Sequence, residues 1–110
     1  MPFYMIQAQY TPDAFKAMLN NPQDREGPAR TLIEALGGKL HHVFFCMGSD
    51  DVMALIEAPD DETMAAGAMT IAASGAFSGG RTTKLLTTTE AMAATKRAQK
   101  AAKSYTPATG

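Results

Sequence analysis

The stretch Lys39–Ala58, KLHHVFFCMGSDDVMALIEA, decides the fold. Two runs rich in β-branched, aromatic and aliphatic residues, Lys39 to Met47 and Asp51 to Ala58, flank the short polar turn Gly48-Ser49-Asp50. So short a connection predicts an antiparallel hairpin. Strict alternation puts Leu40, His42, Phe44 and Cys46 on one side of the first strand and His41, Val43, Phe45 and Met47 on the other. In the second strand, Val52, Ala54 and Ile56 oppose Met53 and Leu55. Both faces of the hairpin therefore carry large apolar groups.

Upstream, Phe3 to Tyr10 reads as another strand, with Phe3 and Met5 opposing Tyr4, Ile6, Ala8 and Tyr10. Thr11-Pro12-Asp13 then offers an N-cap, a proline at the first helical position and an acid at the positive helix end. A helix follows to about Asn20. Pro22 and Gly27-Pro28 interrupt it, and Ala29, Leu32, Ile33 and Leu36 resume with helical spacing before Gly37-Gly38. Downstream, Pro59-Asp60-Asp61-Glu62 opens a helix that runs to about Ser74. Gly75 stops it, and Gly79-Gly80 reads as an extension of the break, a loop over a cleft. Arg81 to Thr88 is the fourth predicted strand. Thr87-Thr88-Thr89-Glu90 fits a capping box for a last helix from Glu90 to about Ser104.

The order β-α-β-β-α-β-α predicts an α+β, ferredoxin-like βαββαβ antiparallel sheet with an extra C-terminal helix. Residues 1–105 make a single domain and 106–110 a loose tail. Two helices on one face of a four-stranded sheet leave the other face apolar and uncovered, and such a patch marks an interface. The economical cover is a second copy, sheet against sheet. The alternative cover is the final helix, curling under a monomer. Its best stripe, Ala91, Ala94, Ala98, Ala101 and Tyr105, is small residues suited to packing along an edge instead.

Several spaced pieces bear a likeness to a known family. They are Gly37-Gly38-Lys39 leading into an aromatic strand, Gly48-Ser49-Asp50-Asp51-Val52 and Glu57-Ala58-Pro59-Asp60-Asp61. Ser74-Gly75-Ala76, Thr82 to Thr87, Glu90-Ala91-Met92 and Tyr105-Thr106-Pro107 follow. Over residues 3–105 the chain resembles the GYD-domain family. One departure stands out: the Gly-Tyr-Asp turn of that family is represented by Gly48 and Asp51, with Asp50 in the tyrosine position. The resemblance implies kinship with the dimeric α/β-barrel group, which includes cofactor-free monooxygenases, isomerases, haem enzymes and ligand-sensing modules. Membership of such a group does not select a chemistry.

Composition narrows the classes. The 110 residues hold eleven acids and ten lysines and arginines, for a net charge of −1. That balance gives no general attraction to nucleic acid or anionic membrane. Lys96, Arg97, Lys100 and Lys103 form a basic C-terminal run that complements the helix dipole, with no stacking aromatics for nucleic acid. No apolar run reaches the roughly 20 residues of a membrane span, and the start lacks a signal-peptide pattern. A cytoplasmic protein is expected. Cys46 is the sole cysteine, without an evident activating neighbour.

For chemistry, His41 and His42 on opposite faces could not share a metal, and His42 lies about 13 Å along the strand from Cys46. No metal and no cofactor are expected. A proton-shuttling role for His41 or His42, with Glu57, Asp50 or Asp51 as the carboxylate, is the catalytic alternative. Tyr10, Arg25, Asp50, Asp51 and Lys84 are the candidates for holding a ligand, although Asp50 and Asp51 also suit the turn itself. The reading is a homo-oligomeric module that binds a small apolar or mixed ligand or serves assembly. Its alternative is a cofactor-independent, monooxygenase- or isomerase-like enzyme with a strand histidine in a cleft between helices and sheet. An enzyme of that kind calls for a cavity of at least ~300 Å3 where a histidine and a carboxylate converge.

Overall fold

The computed structural model describes residues 1–109. The chain runs β1 (Phe3–Tyr10), α1 (Pro12–Asn20), α2 (Glu26–Ala35), β2 (Lys39–Phe45), β3 (Val52–Glu57), α3 (Asp61–Ala73), β4 (Phe77–Leu85) and α4 (Thr88–Ala101), then a 3-10 turn at Ala102–Ser104. The four strands form one sheet in the order β2-β3-β1-β4, and every neighbouring pair is antiparallel. This is the ferredoxin-like arrangement. The tail expected over residues 106–110 is exposed as far as residue 109, and Gly110 lies outside the described residues.

Local chemistry sets most boundaries. The Thr11 hydroxyl accepts from Ala14 N (3.2 Å), and Thr11 N donates to Ala76 O (2.8 Å), so α1 starts where it is tied to the approach of β4. Helix α2 ends in a Schellman motif: Gly37 takes φ 78°, its N–H donates to Glu34 O, and Gly38 N donates to Ile33 O, both at 2.9 Å. Asp60 caps α3 by accepting from Thr63 N at 2.8 Å. The capping box of α4 is complete: Thr87 N donates to Glu90 Oε1 (2.9 Å), and Glu90 N donates to Thr87 Oγ1 (3.1 Å).

Four expectations need correction. Pro28 does not precede α2 but sits in its first turn, where the missing N–H costs no helical hydrogen bond. Gly79-Gly80 is no loop but part of β4, opposite Gln9 and Ala8. A Cβ at Gly80 would come within 3.0 Å of Gln7 O, so a side chain there would push the strands apart. The fourth strand therefore begins at Phe77 and ends at Leu85, because pairing with β1 outweighs the poor strand propensity of glycine. Finally, simple alternation fails in β2. A bulge between Leu40 and His42 makes His41 an extra residue. Leu40 and Val43 then both face the helices, opposite Ile56 and Ala54, while His42 and Phe44 face away, opposite Leu55 and Met53.

The core lies between sheet and helices: Tyr4, Ile33, Leu40, Ile56, Ala58 and Met64 are buried together. Tyr4 carries its hydroxyl to the start of α3, donating to Asp61 Oδ1 at 2.5 Å, and Lys84 pairs with the same carboxylate at 3.0 Å. Among the described residues, no element covers the other face of the sheet. Phe3, Met5, Met53 and Leu55 are half-buried there, and Phe44 is 58% exposed. The final helix does not curl beneath the sheet: every residue of α4 is exposed. The molecule is 59 Å long with a radius of gyration of 17.9 Å, against about 13 Å for a compact chain of this size. Helix α4 stands away from the body of the domain.

Candidate functional site

Three groupings of side chains contain the sequence candidates other than Lys84. The first is a cleft of about 250 Å3 between the sheet and helices α2 and α3. Ile6 and Ala8 of β1, Val43 of β2 and Ala54 of β3 form its floor, and Leu32 and Ile71 its helical walls. It remains open because the side chains available there are small or short: Ala8, Ala29 and Ala54 line it, and β4 contributes only Phe77. Tyr10 and Arg25 both line this cleft. Tyr10 is wedged by aromatic neighbours, stacked on Phe77 at 4.8 Å and edge-on to Phe15 at 5.6 Å. Burial raises the pKa of the Tyr10 phenol, the Arg25 cation opposes that shift, and Asp51 adds to it. The phenol and the guanidinium therefore share one end of the cleft.

The second grouping lies on the uncovered face beside the β2–β3 turn. Asp50 is buried at 6% exposure, although it is a turn residue. Its carboxylate accepts from Gln9 Nε2 (2.8 Å), Gln7 Nε2 (3.3 Å) and Arg81 Nη2 (2.7 Å). Arg81 Nε also donates to Gln7 Oε1 at 3.2 Å. The Asp51 carboxylate accepts from Tyr10 N at 2.9 Å, and Asp51 N donates to Ala8 O at 2.9 Å. The two aspartates thus bind the turn back onto β1 and β4. Three donors on one buried carboxylate satisfy the charge that burial would otherwise penalise. Gln7, Gln9 and Arg81 complete this cluster. The glutamines carried a signal, since they interrupt the apolar series begun by Phe3 and Met5 on one side of β1.

The third grouping is His41 with Glu57, whose side chains meet at 2.6 Å between the bulged residue of β2 and the end of β3. His41 also contacts Phe3 at 5.6 Å, and His42 stacks on Phe44 at 5.7 Å. Both histidines consequently lie on the uncovered face, on the same side of the sheet, which corrects the assignment to opposite faces. Among the described residues, neither histidine and no carboxylate lines the cleft. The expected meeting of a histidine and a carboxylate inside that cleft is therefore corrected: the pair forms on the other side of the sheet. Among the described residues, no three His, Cys, Asp or Glu side chains are grouped to hold a metal ion.

Lys84 faces the helices, away from the cleft, and is engaged by Asp61. Hydrogen bonds from Tyr4 and Lys84 hold the Asp61 carboxyl below its ordinary pKa, while the same contact pushes Tyr4 up to about 12. Cys46 is a half-buried free thiol. Among the described residues no helix is long and apolar enough to cross a membrane.

Comparison with known proteins fits this architecture. The crystal structure of MtbAldR superposes with a TM-score of 0.54 at 20% identity, over 78% of this chain and 52% of that one. The likeness is one of fold, and this chain spans about half the length of that protein. No curated protein matches. The family model of the GYD domain matches residues 4–95, and the chain belongs to the GYD-domain family.

Proposed function

We propose that this chain is a homo-oligomeric binding module. Copies pair through the uncovered sheet face, and the cleft on the opposite face holds a small apolar or mixed ligand. The observation that carries the reading is that apolar surface remains on both sides of the sheet after the chain's own helices have packed. On one side it forms the 250 Å3 cleft, and on the other it is the layer of Phe3, Met5, Phe44, Met53 and Leu55. Burial of apolar area drives both kinds of closure. A two-fold pairing places the same patch on each copy, so one set of side chains suffices. The cofactor-independent enzyme reading rests on the His41–Glu57 pair alone, which lies across the sheet from the cleft.

Methyl NMR tests both halves. In a mixture of methionine-methyl-labelled and unlabelled protein, Met5 and Met53 are expected to give intermolecular NOEs, and the buried Met64 none. Titration with hexan-1-ol is expected to move the methyl signals of Ile6, Val43 and Ile71. A protein that tumbles as one chain, gives no intermolecular NOE and leaves those methyls unmoved by the alcohol would overturn the reading.

A further inference from the structure

The polar groups in the wall of the cleft are not balanced in charge. Arg25 is the one charged residue that lines it. Its Nη1 donates to Gln23 Oε1 at 2.7 Å, and among the described residues it has no carboxylate within ion-pair distance. Of the other arginines, Arg30 pairs with Glu26 and Arg81 with Asp50, while Arg97 lies on the exposed helix α4 and does not line the cleft. The remaining hydroxyls of the wall are already committed, with Thr70 donating to Ala66 O (2.8 Å) and Ser74 to Ile71 O (2.6 Å). That leaves the Arg25 guanidinium and the Tyr10 hydroxyl as the donors free to meet a ligand. The rest of the lining is aliphatic or aromatic.

We infer that the cleft takes an acid-ended apolar molecule, a short-chain or aromatic monocarboxylate. Its apolar body lies among Ile6, Val43 and Ile71, and its carboxylate meets Arg25 and the Tyr10 hydroxyl. The inference rests on the binding-module reading and deepens it. A planar guanidinium matches a carboxylate in geometry and charge, and a cation at the rim of an apolar slot repels amines. Size sets a further limit. At ~30 Å3 for each water-sized group, 250 Å3 accommodates on the order of eight non-hydrogen atoms. Hexanoate and benzoate are close to that size.

The test compares hexanoate, hexan-1-ol and hexylammonium, three probes that share one apolar body, by NMR titration of the Ile6, Val43 and Ile71 methyls. Hexanoate is expected to bind about five- to tenfold tighter than the alcohol, a factor kept modest because Arg25 is solvent-exposed. Hexylammonium is expected to bind weakest. Arg25→Gln is expected to bring hexanoate to the affinity of the alcohol and leave the alcohol unchanged, with Arg25→Lys in between. Arg25 lies outside the core, so the substitutions keep the fold, and an unchanged methyl spectrum of Met64 confirms that. Equal affinities for acid and alcohol, or an acid preference that survives Arg25→Gln, would overturn the carboxylate assignment while ligand binding itself stands. Failure of all three probes to move the cleft methyls would overturn both.

Discussion

Truncating Phe44 separates pairing from folding. Phe44 sits on the uncovered face with 58% of its surface exposed in the single chain. A phenylalanine side chain presents about 150–250 Å2, so about 100 Å2 remains to be covered by a partner. At ~25 cal/mol per Å2 that is about 2.5 kcal/mol for each copy, and a two-fold interface doubles it to about 5 kcal/mol. The orientational cost of association is common to parent and variant and cancels in the difference. Relaxation of the partner's side chains into the space returns part of the loss, and half of it still leaves a weakening of about 60-fold. Phe44→Ala is therefore expected to raise the dissociation constant of the dimer at least ~60-fold, read by sedimentation across a dilution series. Folding of the single chain should change by less than about 0.5 kcal/mol, because the ring is solvent-exposed there. A dissociation constant that moves less than about fivefold, or a large loss of protomer stability with pairing intact, would refute the reasoning.

Ile56, 2% exposed in the middle of the core, should cost about 2–5 kcal/mol on Ile56→Ala, measured by urea unfolding. Thr87→Ala removes half of the capping box and should cost about 1 kcal/mol of α4 alone. Far-UV circular dichroism at 222 nm should fall while the urea midpoint of the core stays fixed, since no residue of α4 is buried. Stability should also follow the Tyr4–Asp61 contact at both ends of the pH range. The Asp61 pKa is lowered in the fold by its bonds to Tyr4 and Lys84, so that contribution is complete above the ordinary carboxyl pKa and is lost as pH falls below it. The Tyr4 pKa is raised from 10.0 to about 12, so its contribution is complete below pH 10 and is lost as pH climbs through 12. Tyr4→Phe should flatten both limbs of an unfolding profile against pH, and unchanged limbs would remove the contact from the account.

The elements whose ends carry their own chemistry were legible in the sequence. The bounds of β1 follow from an aromatic run stopped by Thr11-Pro12, and the ends of α2 and α4 from Gly37-Gly38 and the Thr87–Glu90 box. What escaped was set by partners distant in sequence. Nothing local distinguishes the His41 bulge from regular alternation, because the extra residue is defined only against β3. Gly79 and Gly80 look like a loop until β1 is laid beside them. The same holds for the candidate site. Tyr10 and Arg25 come together only in the folded chain, where the end of β1 and the residue before α2 line one cleft, whereas Asp50, Asp51 and Lys84 are drawn into structural contacts by Gln9, Tyr10 N and Asp61. The cleft has no sequence signature, being the space that small residues on three strands and two helices fail to fill.

Multi-angle light scattering on the full chain at micromolar concentration tests the unpaired sheet most directly. A mass of at least twice the 11.7 kDa of one chain is what the apolar layer of Phe3, Met5, Phe44, Met53 and Leu55 requires. A single-chain mass that persists as concentration rises would show that water tolerates this face, and the pairing on which the account depends would be gone.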